Sequence, residues 1–124
     1  MLKEGLEYTS EVVVTKANCA SAVGSGGLDV FATPSMVALM ENAAMNCVAP
    51  CLPEGSTTVG AEINTTHVKP SALGAKINAV ARLTAVEGRK LTFDVAAYDG
   101  DDCIGKGTHL RFIIDIERFM AKLK

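Results

Sequence analysis

The chain has 124 residues, of which 48% are hydrophobic but only 5% aromatic, so its core must be built from Ala, Val, Leu, Ile and Met. That length suits a single domain spanning 1-124, small enough to gain from oligomerisation. A formal net charge of -2 leaves no basic excess, which argues against nucleic acid as the main partner and for a small ligand. No apolar run reaches the ~18–20 residues of a spanning helix, and MLKEGLEYTSEVVV lacks an apolar leader, so the expectation is a cytoplasmic protein without a membrane partner.

Residues 6 to 16, LEYTSEVVVTK, are rich in β-branched types and predict a first strand with Val12 and Val14 on one face. NCASAVGSGG follows, a flexible loop by composition; residues 17 to 30 are the only irregular segment long enough to act as a lid. Thr33 precedes Pro34, the pairing of an N-cap with proline at the first helical position, and the helix it opens should stop near Pro50. That helix, TPSMVALMENAAMNCVAPC, is apolar almost all the way round. With Ser35 at zero, Asn42 and Asn46 fall within about 20° of it as a narrow polar stripe, while Glu41, the only charge, lies about 120° away among Val37, Ala38, Ala44 and Met45. An unpaired carboxylate there must find a partner, neutralise or have a job.

Beyond Thr57 the period changes to two. Val59, Ala61, Ile63, Thr65 and His67 are expected on the helix-facing side of a second strand. A third strand at about 75 to 86 alternates Ile77, Ala79, Ala81 and Leu83 with Lys76, Asn78, Arg82 and Thr84. Glu87-Gly88-Arg89 turns into a fourth carrying Leu91, Phe93, Val95 and Ala97 on one face. A fifth, about 103 to 116, is expected to point Leu110, Phe112, Ile114 and Ile116 inward and His109, Arg111 and Asp115 outward. ERFMAKLK suggests a short helical turn. The class is α+β: an antiparallel sheet of about five strands wrapped around one long helix. Cys19, Cys47, Cys51 and Cys103 are too scattered for a metal site, and neither His67 nor His109 supplies the missing ligands, so reduced structural thiols are expected.

Three polar side chains should converge on the buried side: Thr33, Glu41 and His67. Thr33 and Glu41 are eight residues apart, about 12 Å along a helix axis, so something must lie between them. The helix N-terminus adds unpaired N–H groups and a positive dipole end, suited to an oxyanion. Together these are parts for acyl transfer. Each has a plainer reading: Thr33 as a cap, His67 as a satisfied core or edge histidine, Gly60 as a bulge rather than a close approach to ligand. His109 and Arg111 read as surface or interface residues, although Arg111 could meet an anionic phosphate.

The stretches VFATPSMVALMENAA, VGAEINTTHVKPSALG, VEGRKLTFDVAAYDG and IGKGTHLRF, in order over about Val30 to Ala121, resemble the hotdog-fold acyl-CoA thioesterases, specifically the fluoroacetyl-CoA thioesterase-like family. The resemblance implies a hotdog fold and hydrolysis of a small or medium acyl-CoA to free acid and coenzyme A, without metal or redox cofactor. It implies catalytic roles for Thr33, Glu41 and His67, and a backbone role at the acyl site for Gly60; beside it, Pro34 and Arg111 are expected as further substrate contacts. It also implies a homodimer with coenzyme A entering between protomers; a dimer of dimers is an alternative assembly. The family's best-known members carry aromatic residues in the loop before the helix; here the loop is SAVGSGG, so selectivity for a fluorinated acyl group is not inherited. Other readings of the same residues are a hotdog acyl-CoA hydratase or dehydratase, a non-catalytic acyl-CoA binding module, and a structural homodimer.

Overall fold

The computed structural model describes residues 1–124. Five strands, β1 (Glu7–Val13), β2 (Ser56–Thr65), β3 (Lys76–Glu87), β4 (Lys90–Asp99) and β5 (Asp102–Asp115), form one sheet in the order β1-β3-β4-β5-β2. Every neighbouring pair is antiparallel. Three helices accompany them: α1 (Ala20–Val23), α2 (Thr33–Val48) and α3 (Ile116–Ala121). This is the hotdog arrangement, with α2 lying along the concave face of the sheet. No helix is long and apolar enough to cross a membrane.

The core follows from two periodicities meeting. On α2, Met36, Met40, Ala43, Ala44, Cys47 and Val48 recur at three- and four-residue spacing and are buried. Facing them are Ile77, Ala79, Ala81 and Leu83 of β3 and Leu91, Phe93, Val95 and Ala97 of β4, the alternation expected from sequence. Complete burial of a side chain such as Met36 or Leu83 stabilises by roughly 1.5–3 kcal/mol. Ala43 and Ala44, fully buried here, bring helix and sheet close together. The Ser35 stripe faces β1, where the Ser10 hydroxyl donates to Asn42 Oδ1 at 2.7 Å. An almost wholly apolar composition does not bury α2 all round. Pro34, Ala38 and Asn42 form an exposed stripe on α2.

Three further expectations are corrected. The segment 17 to 30 is not a floppy loop: it contains α1, is closed by an antiparallel bridge between Cys19 and Phe31, and is cross-linked by Ala20 N–H to Val30 O (2.9 Å). In β2 a bulge between Gly60 and Glu62 leaves Ala61 unpaired and switches the face. Before it, Thr58 and Gly60 point inward and Val59 pairs outward with Phe112; after it, Ile63 points inward opposite His109. In β5 the faces are the reverse of those expected. His109 pairs with Phe93 and Arg111 with Leu91, and those two β4 residues are locked in the core, so His109 and Arg111 are carried inside and Phe112 outside.

Beyond Thr65 the chain continues along β5, with Thr66 N–H bonded to Lys106 O and Val68 N–H to Ile104 O. It passes so near β5 that a Cβ on Gly107 would overlap the Asn64 carbonyl, and one on Gly105 the Thr66 carbonyl.

Candidate active site

The sequence-predicted residues fall into two groups on α2. At its start, the capping role belongs to Ala32, whose backbone is extended (φ -77°, ψ 142°) and whose carbonyl accepts from Met36 N–H (3.0 Å). Thr33 is the first helical residue and Pro34 the second, so the helix starts one residue earlier than the sequence suggested. Freed from capping, the Thr33 hydroxyl shares a 2.7 Å hydrogen bond with His67 Nδ1. The other ring nitrogen, Nε2, is buried and has no hydrogen-bond partner in the protein. Buried polar atoms without partners are uncommon, so this one is a functional signal. Burial holds the His67 imidazole below its ordinary basicity, with the Lys69 backbone opposing the shift, so the ring is neutral at pH 7. A cavity of about 270 Å³ opens here, lined by Phe31, Thr33, His67, Lys69 and Pro70 among others.

Two turns further along α2 is Glu41, with its side chain 42% exposed rather than enclosed by apolar neighbours. Its carboxylate points across to β2 at the bare inner face of Gly60: a Cβ there would lie 2.8 Å from Glu41 Oε2, 3.3 Å from His109 Cε1 and 3.4 Å from Arg111 Nη1. The glycine therefore serves both readings, marking the bulge and permitting close approach. Arg111 Nη1 is 3.9 Å from Glu41 Oε2, an ion pair without hydrogen-bond contact. The guanidinium is fixed from behind, donating from Nε to Thr58 Oγ1 (2.8 Å) and from Nη2 to Thr58 O (2.9 Å). Burial lowers its basicity and the Glu41 charge opposes that; an arginine remains a cation throughout. A cavity of about 420 Å³ lies along this group, lined by Ala38, Glu41, Asn42, Met45, Gly60 and Arg111 among others.

Arg111 and His109 are thus 6% and 1% exposed, not surface residues. Arg111 is spent on interior partners and is poorly placed for a phosphate. Of the small residues Ala38, Ala43 and Ala44 on α2, only Ala38 borders a cavity; the other two are sealed against the sheet. Thr58 and His109 were not foreseen as parts of the site. Gly105 and Gly107, at two-residue spacing from His109 and Arg111, were the available signal, since glycines on one strand face mark where another segment passes closely. All four cysteines are free, and no group of three or more His, Cys, Asp or Glu side chains is arranged to hold a metal.

Comparison with known proteins bears on the family and the fold. The family described as fluoroacetyl-CoA-specific thioesterase matches residues 14–117. A fluoroacetyl-CoA thioesterase from Streptantibioticus cattleyicolor is 44% identical over 96 residues, 77% of this chain and 69% of that protein. A solved structure of a fluoroacetyl-CoA thioesterase superposes with a TM-score of 0.93 at 36% identity, covering 99% of this chain and 96% of that one. A Thermus thermophilus protein described as a thioesterase superfamily member superposes with a TM-score of 0.89 at 30% identity, covering 98% and 90%.

Proposed function

The chain belongs to the fluoroacetyl-CoA-specific thioesterase family, a family of hotdog-fold enzymes, and from that premise we propose that it hydrolyses a small acyl-CoA thioester to the free acid and coenzyme A. The observation that carries the reading is the Glu41 carboxylate, the only charge on α2, held against a strand stripped bare at Gly60. Glu41 attacks the thioester carbonyl or activates a water to do so. On either route the C–S bond breaks and the acyl carbon gains a water oxygen. The sulfur leaves as the thiol, its proton delivered through His67, whose neutral ring accepts a proton before returning it. Thr33 orients that ring through Nδ1. The N–H groups at the start of α2 and the Gly60 backbone supply donors for the oxyanion. Pro34, at the exposed rim, borders the substrate. The chemistry as proposed calls for no metal or redox cofactor.

Thr33, which holds His67, stands about 12 Å of helix axis before Glu41, too far for one reacting carbon to touch both Thr33 and Glu41. A second copy resolves this. The exposed stripe of α2, the half-open carboxylate and the free edge of β2 all lie where a protomer could pack, so that His67 of one chain faces Glu41 of its partner with coenzyme A entering between them.

Purified wild type and Glu41→Gln are to be assayed with thiol detection on fluoroacetyl-CoA, acetyl-CoA and longer acyl esters. The variant is expected to lose about 10³-fold or more in kcat with an unchanged circular dichroism spectrum; wild-type turnover by the variant overturns the assignment.

A further inference from the structure

The reaction as drawn uses one histidine, yet the more deeply buried one is His109. Its Nδ1 lies 2.8 Å from the carbonyl of Glu62. A carbonyl can only accept, so Nδ1 carries the proton, and the residue supplying that carbonyl flanks the β2 bulge. Phe93 packs beside the ring with centroids 6.2 Å apart. In the neutral tautomer Nε2 must be an acceptor, and the donor it meets is Arg111 Nη1 at 3.2 Å. Thr58 takes Nε and Nη2 of the same guanidinium. Every nitrogen of the cation is therefore anchored from the core, and the side left toward the cavity is the edge of Nη1 that faces Glu41. No other charged side chain meets Glu41 from α2, β2 or β5.

We infer that His109 is a positioning residue for the thioesterase: by accepting from Arg111 Nη1 it fixes the guanidinium, and the guanidinium in turn fixes the Glu41 carboxylate over Gly60. The chain of contacts runs from the Glu62 carbonyl through an imidazole and a cation to the reacting carboxylate, and it exists because the bulge turns that carbonyl toward β5. His109 itself touches no substrate. The inference rests on Glu41 being the catalytic carboxylate.

Two substitutions divide the ring's contacts. In His109→Asn the amide nitrogen occupies the place of Nδ1 and keeps the bond to Glu62 O, while the acceptor for Arg111 is lost. In His109→Gln an amide oxygen reaches the place of Nε2 and keeps that acceptor. The expected result is a kcat about 10- to 100-fold lower in His109→Asn, with KM for acetyl-CoA within about twofold, and recovery of most of the loss in His109→Gln. In an Arg111→Met background, His109→Asn is expected to add less than about twofold, because its route of action is already gone. Melting curves on each variant separate folding from rate; if His109→Asn does not fold, His109→Gln, which keeps the acceptor, is expected to retain most of the wild-type kcat while Arg111→Met loses it, and a folded His109→Gln as slow as Arg111→Met overturns the inference. Equal rates in the Asn and Gln variants, or additive effects with Arg111→Met, overturn the inference while leaving Glu41→Gln inactive. Wild-type turnover by Glu41→Gln overturns the inference and the functional reading together.

Discussion

The two ends of the α2 site are built on opposite electrostatic plans. At the helix start, a hydroxyl and a neutral imidazole share one 2.7 Å bond, with no charged group bonded to either and one ring nitrogen left without a partner. Two turns on, a carboxylate and a guanidinium face each other, and the cation is tied back by Thr58 and His109. The first arrangement suits a proton that must move, since a neutral imidazole accepts and returns it at little cost. The second suits a charge that must stay put, because a buried cation with fixed donors cannot relax away when charge shifts on its partner. Thioester cleavage needs both, and within one chain they stand eight residues of helix apart.

The largest effect that tests this division is His67→Ala, expected to lower kcat about 10²- to 10³-fold by removing the proton carrier. Mixing it with Glu41→Gln sharpens the point. If each site takes its two halves from two chains, subunit exchange between the inactive variants restores about a quarter of the wild-type sites; no recovery after verified exchange would place both halves in one chain. Next in size is Gly60→Ala. Its methyl would sit 2.8 Å from Glu41 Oε2, so the carboxylate must swing aside, and a loss of about 10- to 100-fold in kcat is expected with the melting temperature almost unmoved, because the strand edge is exposed. Isothermal melting and steady-state rates on one preparation check both halves of that statement.

The smallest effect concerns stability. Both histidines are held below the ordinary value of 6.5 by burial. On acidification the unfolded chain therefore binds protons before the folded one, so their contribution is complete above about pH 6.5 and is lost as pH falls through the folded values. A melting temperature that drops by a few degrees between pH 7 and 5, with a shallower drop in His109→Asn, is the expected observation. An identical slope in the variant would assign the acid sensitivity elsewhere.

Much of this molecule can be read from its sequence where side chains obey one rule at a time. β4, and β3 as far as Leu83, alternate because they bury apolar residues and nothing else, and that part of the hairpin has the faces expected of it; a register shift between Leu83 and Ala85 interrupts the pattern only near the turn. The helix and its end near Pro50 are equally plain. The reading fails at β2 and β5, and it fails because the site is there. His109 and Arg111 look like surface residues beside Leu110, Phe112 and Ile114, yet pairing with the locked side chains of β4 turns them inward. In β2 one unpaired residue at the bulge exchanges inside for outside halfway along the strand, which no period of two can anticipate. Thr33 was legible as a hydroxyl to hold the substrate, Glu41 or His67; that His67 is its partner depends on a cap displaced by one residue to Ala32.

The crossing of β2 over β5 at Gly105 and Gly107 has a consequence for His67. The segment that delivers this histidine to Thr33 is laid down on two positions of a different strand that carry no side chain at all. An alanine at either would lift that segment off its track and carry the imidazole with it, although every atom of Thr33, Glu41 and His67 remained in the chain. The reach of His67 is here set by two absences thirty-eight and forty residues downstream, and a search for relatives that place a histidine in the same way can ask for those absences as firmly as for the histidine.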